Sequence, residues 1–437
     1  MGLPMAGQPR PRGPRPRVLF AAIALVALGA GLFFGCRQEE RPSGQPAADA
    51  CVGVQRKPAP GSGAGITTLL VDRSASVRGA EGVNFAAAPE LDAEIRAAAG
   101  RGDTITISGF DGSATTTAWA TVAIPDRANE QERLETQVGA LRCARQLLAQ
   151  AAAEPARAAG SDVLGGLSAA AGQLAVAGTG QRHVVVATDG LANTGCANLL
   201  ESPVGGDTAP TVDQCRSGGQ LPDLTGAQVT MLGIGHPAGD QPIPGTAQLG
   251  WVTSLWKALC GAATADPRTC DIHSVVDAPA GGAGATRAPE RTPGVEDPGV
   301  TFPQVEERRA SGTMVVALPD RMLFATNSTE LLGIADEALA EVRRRVRETS
   351  GKVIQVVGHT DSRGTDAHND LLSLGRAQRV TDALRASGIP VGEVVGQGRG
   401  HPDPACGPER RPDGSADLTA MSCNRRVEIV ISLGEAD

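Results

Sequence analysis

The sequence predicts an α/β domain built on a doubly wound, Rossmann-like sheet, followed by a smaller α+β domain. Three observations carry this reading. Apolar, β-branched runs such as Ile66 to Val71 and His183 to Thr188 alternate with Ala- and Leu-rich helical periods between 65 and 277. Both of these runs end in an aspartate, Asp72 and Asp189, where a doubly wound sheet carries its ligand site. A Pro- and Gly-rich stretch over 278–312 then precedes a second alternating segment, 313–437. Size agrees, since 437 residues suit two or three domains, and 41% apolar content fills ordinary cores despite 2% aromatics and no tyrosine.

In chain order, Arg10, Arg12, Arg15 and Arg17 precede an uncharged apolar run from Val18 to Phe34 and then Gly35-Cys36, the layout of an export signal over 1–36. The run is long enough to span a bilayer, so an uncleaved anchor and a cleaved signal with lipidated Cys36 both stay open. Gly35-Cys36 resembles a lipobox, with Phe33 where leucine is usual. Residues 37–64, rich in Pro, Gly, Ala and Gln, read as a flexible spacer. There are nine cysteines, and setting Cys36 aside leaves eight, which in an exported chain fits four disulfides. Nearest-neighbour pairing gives Cys196–Cys215, Cys260–Cys270 and Cys406–Cys423, and leaves Cys51–Cys143. The absence of any CxxC pair disfavours zinc, and a net charge of −8 argues against nucleic acid.

Strands are expected near 66–71, 103–109, 115–123, 183–188, 227–234 and 271–277, and helices near 84–99, 128–152, 162–177 and 246–261. Asp72-Arg73-Ser74-Ala75-Ser76 offers three oxygen ligands on one loop, half of the six that a hard cation wants. With Gly160-Ser161-Asp162-Val163 and the strand ending at Asp189-Gly190, this pattern resembles a von Willebrand factor A domain. The resemblance implies a metal-ion-dependent adhesion site of Asp72, Ser74, Ser76, Ser161 and Asp189 that binds Mg²⁺, or another divalent cation such as Ca²⁺ or Mn²⁺. Serine stands at 161 where the family has threonine. It also implies an open metal position that an acidic residue of a protein partner fills. The long connection 191–226, with Cys196 and Cys215, reads as a disulfide-stapled insertion beside the metal loop.

A metal-dependent hydrolase, with Asp162 or His183 as base, is the alternative. His183 opens its strand while Asp189 follows its end, roughly 20 Å away in extended chain, and no G-x-S-x-G or HExxH motif occurs. A stator-like envelope component would need an ionisable residue in the membrane run, and Val18 to Phe34 has none.

In the last segment the expected order is β-α-β-α-β-β. Asn327 and Glu330 are a candidate capping pair for a helix bearing Leu331, Ile334, Leu339, Val342 and Val346. Val353 to Val357 makes a strand that leads into Gly358-His359-Thr360-Asp361-Ser362. Asn369, Ser373, Arg376, Val380 and Leu384 then share one helix face, so Arg376 must find a carboxylate, either Asp361 or a ligand. Residues 401–423 form a polar insertion between Cys406 and Cys423, before the closing strand that starts at Arg425-Arg426.

Met322 to Ser328, Gly358 to Ser362, Asn369, Leu372-Ser373, Arg376-Ala377, Gly398 and Asn424 to Ile429 together resemble the OmpA-like peptidoglycan-binding domain. The resemblance implies that Asp361 holds the side-chain amine of diaminopimelate and Arg376 its carboxylate, with Asn369 and the backbone near Asn327 as weaker contacts. The expected protein is a membrane-tethered connector of the cell envelope, not an enzyme. It would face the wall from the outer membrane or from the outer face of the cytoplasmic membrane, with peptidoglycan and a protein as partners.

Overall fold

The fold comes from a computed structural model, which describes residues 51, 54, 65–77, 88–113, 119–124, 129–175, 180–237, 241–274, 298–398 and 406–433. The export segment, Cys36 and most of the 37–64 spacer therefore lie outside the described residues.

The first sheet contains β1 (Ile66–Asp72), β2 (Thr104–Phe110), β3 (Ala120–Val122), β4 (Arg182–Ala187), β5 (Ala227–Leu232) and β6 (Cys270–His273), in the order β3-β2-β1-β4-β5-β6. All neighbours are parallel except β2 and β3. Every residue of β1 is buried, as expected of a central parallel strand covered on both faces. Ile66 and Leu70 join the core that includes residues of α3 (Val163–Ala175), α4 (Ala209–Ser217) and α5 (Thr246–Thr264). Leu69 and Val71 join the opposite core with α1 (Pro89–Arg101) and α2 (Glu130–Ala153). α2 starts at Asn129, whose side chain accepts from the backbone N–H groups of Gln131 and Glu132. The strand order reverses across β1, so the C-terminal ends of β1 and β4 frame a switch-point crevice.

The second sheet contains β7 (Glu306–Ala310), β8 (Thr313–Pro319), β9 (Lys352–Gly358), β10 (Val391–Gly396) and β11 (Arg426–Ser432), in the order β10-β9-β11-β8-β7. α6 (Ala335–Glu348) and α7 (Asp366–Ala386) supply the helical side of its core, and a short α8 (Leu418–Asn424) precedes β11. The expected β-α-β-α-β-β order is thus corrected by a hairpin strand, β7, and by α8. β7 reads Glu-Glu-Arg-Arg-Ala and is exposed throughout, so no hydropathy pattern marks it; it lies inside the stretch expected as linker.

The capping pair is also corrected. α6 begins at Ala335 with Ile334 at its N-cap, while Asn327 adopts a left-handed φ of 56° and Glu330 N–H donates to the Ser328 hydroxyl. A bridge between Phe324 and Leu331 holds this segment as a turn, which leaves no room for an earlier helix start. The four expected disulfides are all present: Cys51–Cys143, Cys196–Cys215, Cys260–Cys270 and Cys406–Cys423. Among the described residues no helix is long and apolar enough to cross a membrane.

Candidate functional site

A cavity of about 340 Å³ lies where the loop after β9 meets α7 and the turn after β8; Asp320, Asn327, Asp361, Asn369, Arg376 and Arg425 are among its lining residues. The helical face expected for α7 is real, with Asn369, Ser373, Arg376, Val380 and Leu384 all buried. Gly358 permits the close approach of β9 to α7, because a Cβ there would stand 2.0 Å from the Ser373 carbonyl oxygen.

Asp361 and Arg376 do not pair with each other. Arg376 Nη1 donates to Asp320 Oδ2 at 3.0 Å, its Nε donates to the Ser328 carbonyl at 3.0 Å, and its guanidinium lies 5.1 Å from the centroid of the Phe324 ring. Asp361 Oδ2 instead accepts from Arg425 Nη1 at 2.8 Å and from Arg363 Nη2 at 2.7 Å, while Oδ1 accepts from Arg363 N at 3.0 Å. Burial raises the Asp361 carboxyl, but hydrogen bonds from Arg363 and the Arg425 charge outweigh it and hold the acid below its ordinary range. The acid is therefore ionised, and Arg376 lines the same cavity from α7.

Asn369 acts on the loop. Its Nδ2 donates to the carbonyls of Asp361 at 3.3 Å and Arg363 at 2.8 Å, so it fixes the backbone that presents the acid. Asn327 lines the cavity from the turn whose Ser328 carbonyl anchors Arg376. Sequence reasoning missed Asp320 and Arg425. They meet because Asp320 N–H donates to the Arg425 carbonyl at 2.9 Å, an extension of the β8–β11 register. Asp320 Oδ1 is buried without a hydrogen-bond partner. Burial and the neighbouring Arg425 charge lower the Arg321 guanidinium to about 10.

The second constellation sits at the β1–β4 switch point. Asp72 Oδ2 accepts from the Ser161 hydroxyl at 2.7 Å and from the Thr188 hydroxyl at 2.7 Å, Asp72 Oδ1 accepts from Ser74 N at 2.8 Å, and the Ser74 and Ser76 hydroxyls are 2.9 Å apart. Asp189 Oδ1 accepts from Leu191 N at 2.8 Å. Burial pushes the Asp72 carboxyl above its ordinary range against these hydrogen bonds. The donor set is all hard oxygen, two carboxylates and three hydroxyls, which suits Mg²⁺ or Ca²⁺. Among the described residues no cluster of three His, Cys, Asp or Glu side chains forms a metal site, and this set with its two carboxylates is not one.

Thr188, which the sequence reading passed over, carries a hydroxyl on Asp72 that lies one register step beyond the Val71–Ala187 pair. Asn193 Oδ1 accepts from Ser161 N at 2.8 Å and its Nδ2 donates to the Pro298 carbonyl at 2.8 Å, so the chain after the first domain lies against this loop. The two residues considered as hydrolytic bases have other roles. Asp162 Oδ1 accepts from Gly165 N at 2.8 Å and caps α3, while His183 is the second residue of β4, toward the far end of the strand from Asp189.

An ionised acid and a buried guanidinium line one cavity on a β-α-β scaffold. The OmpA family model matches residues 323–412. Outer membrane protein A of Shimwellia blattae is 33% identical over 118 residues, which are 26% of this chain and 49% of that one. The lipoprotein YfiB of Escherichia coli is 32% identical over 124 residues, 28% of this chain and 73% of its own length. Through this C-terminal domain the chain belongs to the OmpA family. A solved structure of the cell wall anchor of the T6SS from Pseudomonas aeruginosa shares 29% identity over 30% of this chain and 88% of that one, with a TM-score of 0.25. The chain spans between 14% and 73% of the length of the first curated relatives it matches.

Proposed function

We propose that the protein is an envelope connector whose C-terminal domain grips peptidoglycan noncovalently, with Asp361 on the amine and Arg376 on the carboxylate of a diaminopimelate side chain. The observation that carries this is that the two groups line the same cavity without pairing with each other. A carboxylate and a forked guanidinium read both charges of such a zwitterionic end at once. Binding, not catalysis, is the chemistry these groups offer. Purified peptidoglycan should pellet the wild type but neither Asp361→Ala nor Arg376→Ala; equal pelleting of all three would sink the reading.

The envelope is the site of action, and the membrane tie would run through lipidated Cys36 or an uncleaved N-terminal helix. Support comes from the relatives, which are named as outer membrane proteins and as a lipoprotein. The first domain is read as a von Willebrand factor A-like module in which Asp72, Ser74, Ser76, Ser161 and Asp189 hold Mg²⁺ or a related cation and present it to an acidic residue of a protein partner. Its support is the strand order and the hydroxyls gathered on Asp72. Capture of that partner in a pull-down should need Mg²⁺, fail with EDTA and fail with Asp72→Ala. Capture that ignores both would leave the domain as scaffold.

A further inference from the structure

The wall-binding cavity is not built by the C-terminal domain alone, because Glu201 of the first domain stands among its lining residues. Glu201 belongs to the insertion stapled by Cys196–Cys215. Its backbone is fixed locally, since Leu200 N donates to Asn198 Oδ1 at 2.9 Å and Glu201 N donates to the Asn198 carbonyl at 3.0 Å. The insertion is also held from across the cavity. Arg425 Nη2 donates to the Leu200 carbonyl at 2.7 Å, and the same guanidinium holds Asp361. Thr326 Oγ1 donates to the Glu201 carbonyl at 3.4 Å. Gly205 and Gly206, at φ of 90° and 72°, let the segment pass so close to Ile334 that a Cβ at either would stand within 2.8 Å of its side chain.

This placement matters for the ligand amine. An ammonium group has three N–H donors and wants an acceptor for each. Asp361 Oδ2 already accepts from Arg363 and Arg425, which leaves Oδ1, shared with one backbone N–H, for the ligand. Asp320 Oδ2 faces both Arg376 and Arg425, and its Oδ1, which has no hydrogen-bond partner, is buried away from solvent. Glu201 is the third carboxylate of the cavity; Oε1 takes Arg363 Nη1, and the side chain stays 24% exposed.

We propose that Glu201 is a ligand-binding residue of the peptidoglycan site, in which its carboxylate shares the diaminopimelate amine with Asp361, so that the first domain supplies one wall of the pocket. The proposal rests on the diaminopimelate reading above and extends it to a residue outside the family domain. Recognition of the amine then requires both domains in contact.

The test is calorimetric titration of the full chain with a soluble muropeptide ending in meso-diaminopimelate, and with the same muropeptide carrying 2-aminopimelate, which lacks the side-chain amine. Glu201→Gln keeps the size and removes the charge; it should weaken the first ligand about tenfold and leave the second within about twofold. Unchanged or tighter binding of the diaminopimelate ligand by Glu201→Gln, or an equal loss for both ligands, overturns the proposal while the wall-binding reading stands. Failure of the wild type to distinguish the two ligands overturns both. Glu330→Gln, an exposed acid outside the cavity lining, serves as the charge control and should titrate like the wild type.

Discussion

Arg376 carries two separable duties, and substitutions can pull them apart. In the free protein it neutralises Asp320 at 3.0 Å, donates to the Ser328 carbonyl and covers the Phe324 ring. Arg376→Met keeps an unbranched apolar stem but removes the charge. A buried carboxylate that loses its partner costs about 3–5 kcal/mol. Here Arg425 Nε remains 3.5 Å from the same Asp320 oxygen, so the expected loss is nearer to about 2–3 kcal/mol. Adding Asp320→Asn removes the stranded charge and should recover about half of that stability. Binding should not recover, because nothing then reads the ligand carboxylate. Urea denaturation measures the first quantity and peptidoglycan pelleting the second. Restored pelleting in the double variant would refute the assignment of Arg376 to the ligand, and an unchanged denaturation midpoint for Arg376→Met would refute the energetics of the Asp320 pair.

Two further outcomes follow from the same geometry. Glu428 accepts from Arg308 and Arg426 and lies 3.5 Å from His359 Nε2. The nearby His359 imidazole and the Arg426 hydrogen bond hold it at about 2, although burial opposes them. A depressed carboxyl stabilises the fold fully above its unfolded value and loses that contribution as pH falls through about 4 toward 2. Glu428→Gln should therefore flatten the acid limb of a stability profile between about pH 5 and 2, by about 2 kcal/mol after solvent screening, and an unaltered limb would count against it. Cys51–Cys143 closes a loop with a sequence separation of 92. Chain-entropy arguments give about 4.5 kcal/mol for such a loop, so Cys51→Ala/Cys143→Ala should lower the urea midpoint strongly, and a shift worth under about 1 kcal/mol would show that the loop is already ordered without the bond.

Much of the architecture was legible where the physics is local or periodic. β1 announced itself as a continuous apolar run because both of its faces are covered. The face of α7 could be read from spacing, down to the three polar residues at its start. Disulfide pairing followed sequence proximity because three of the bonds staple neighbouring elements, with separations of 19, 10 and 17. What could not be read is what register decides. Asp320 and Arg425 lie in elements far apart in sequence and meet only because β11 runs antiparallel to β8. The Asp361–Arg376 pair was a reasonable expectation from spacing alone, but the nearer Arg363 and Arg425 satisfy the acid first. β7 carries no apolar alternation, since it is an edge strand exposed throughout.

Two arginines tie the cavity to the first domain. Arg425 bridges Asp361 and the Leu200 carbonyl, and Arg363 bridges Asp361 and Glu201. Each guanidinium thus serves an acid of the pocket and an acceptor of the other domain in one rigid plane, and a shift of either partner moves both sets of bonds. Groups that share a partner in this way are energetically coupled by about 0.5–3 kcal/mol. Contacts between the domains and contacts with the wall therefore cannot be independent quantities. Loosening the 199–206 segment must alter how Asp361 is presented, and a ligand that draws Arg363 away from Asp361 must alter how firmly that segment is held.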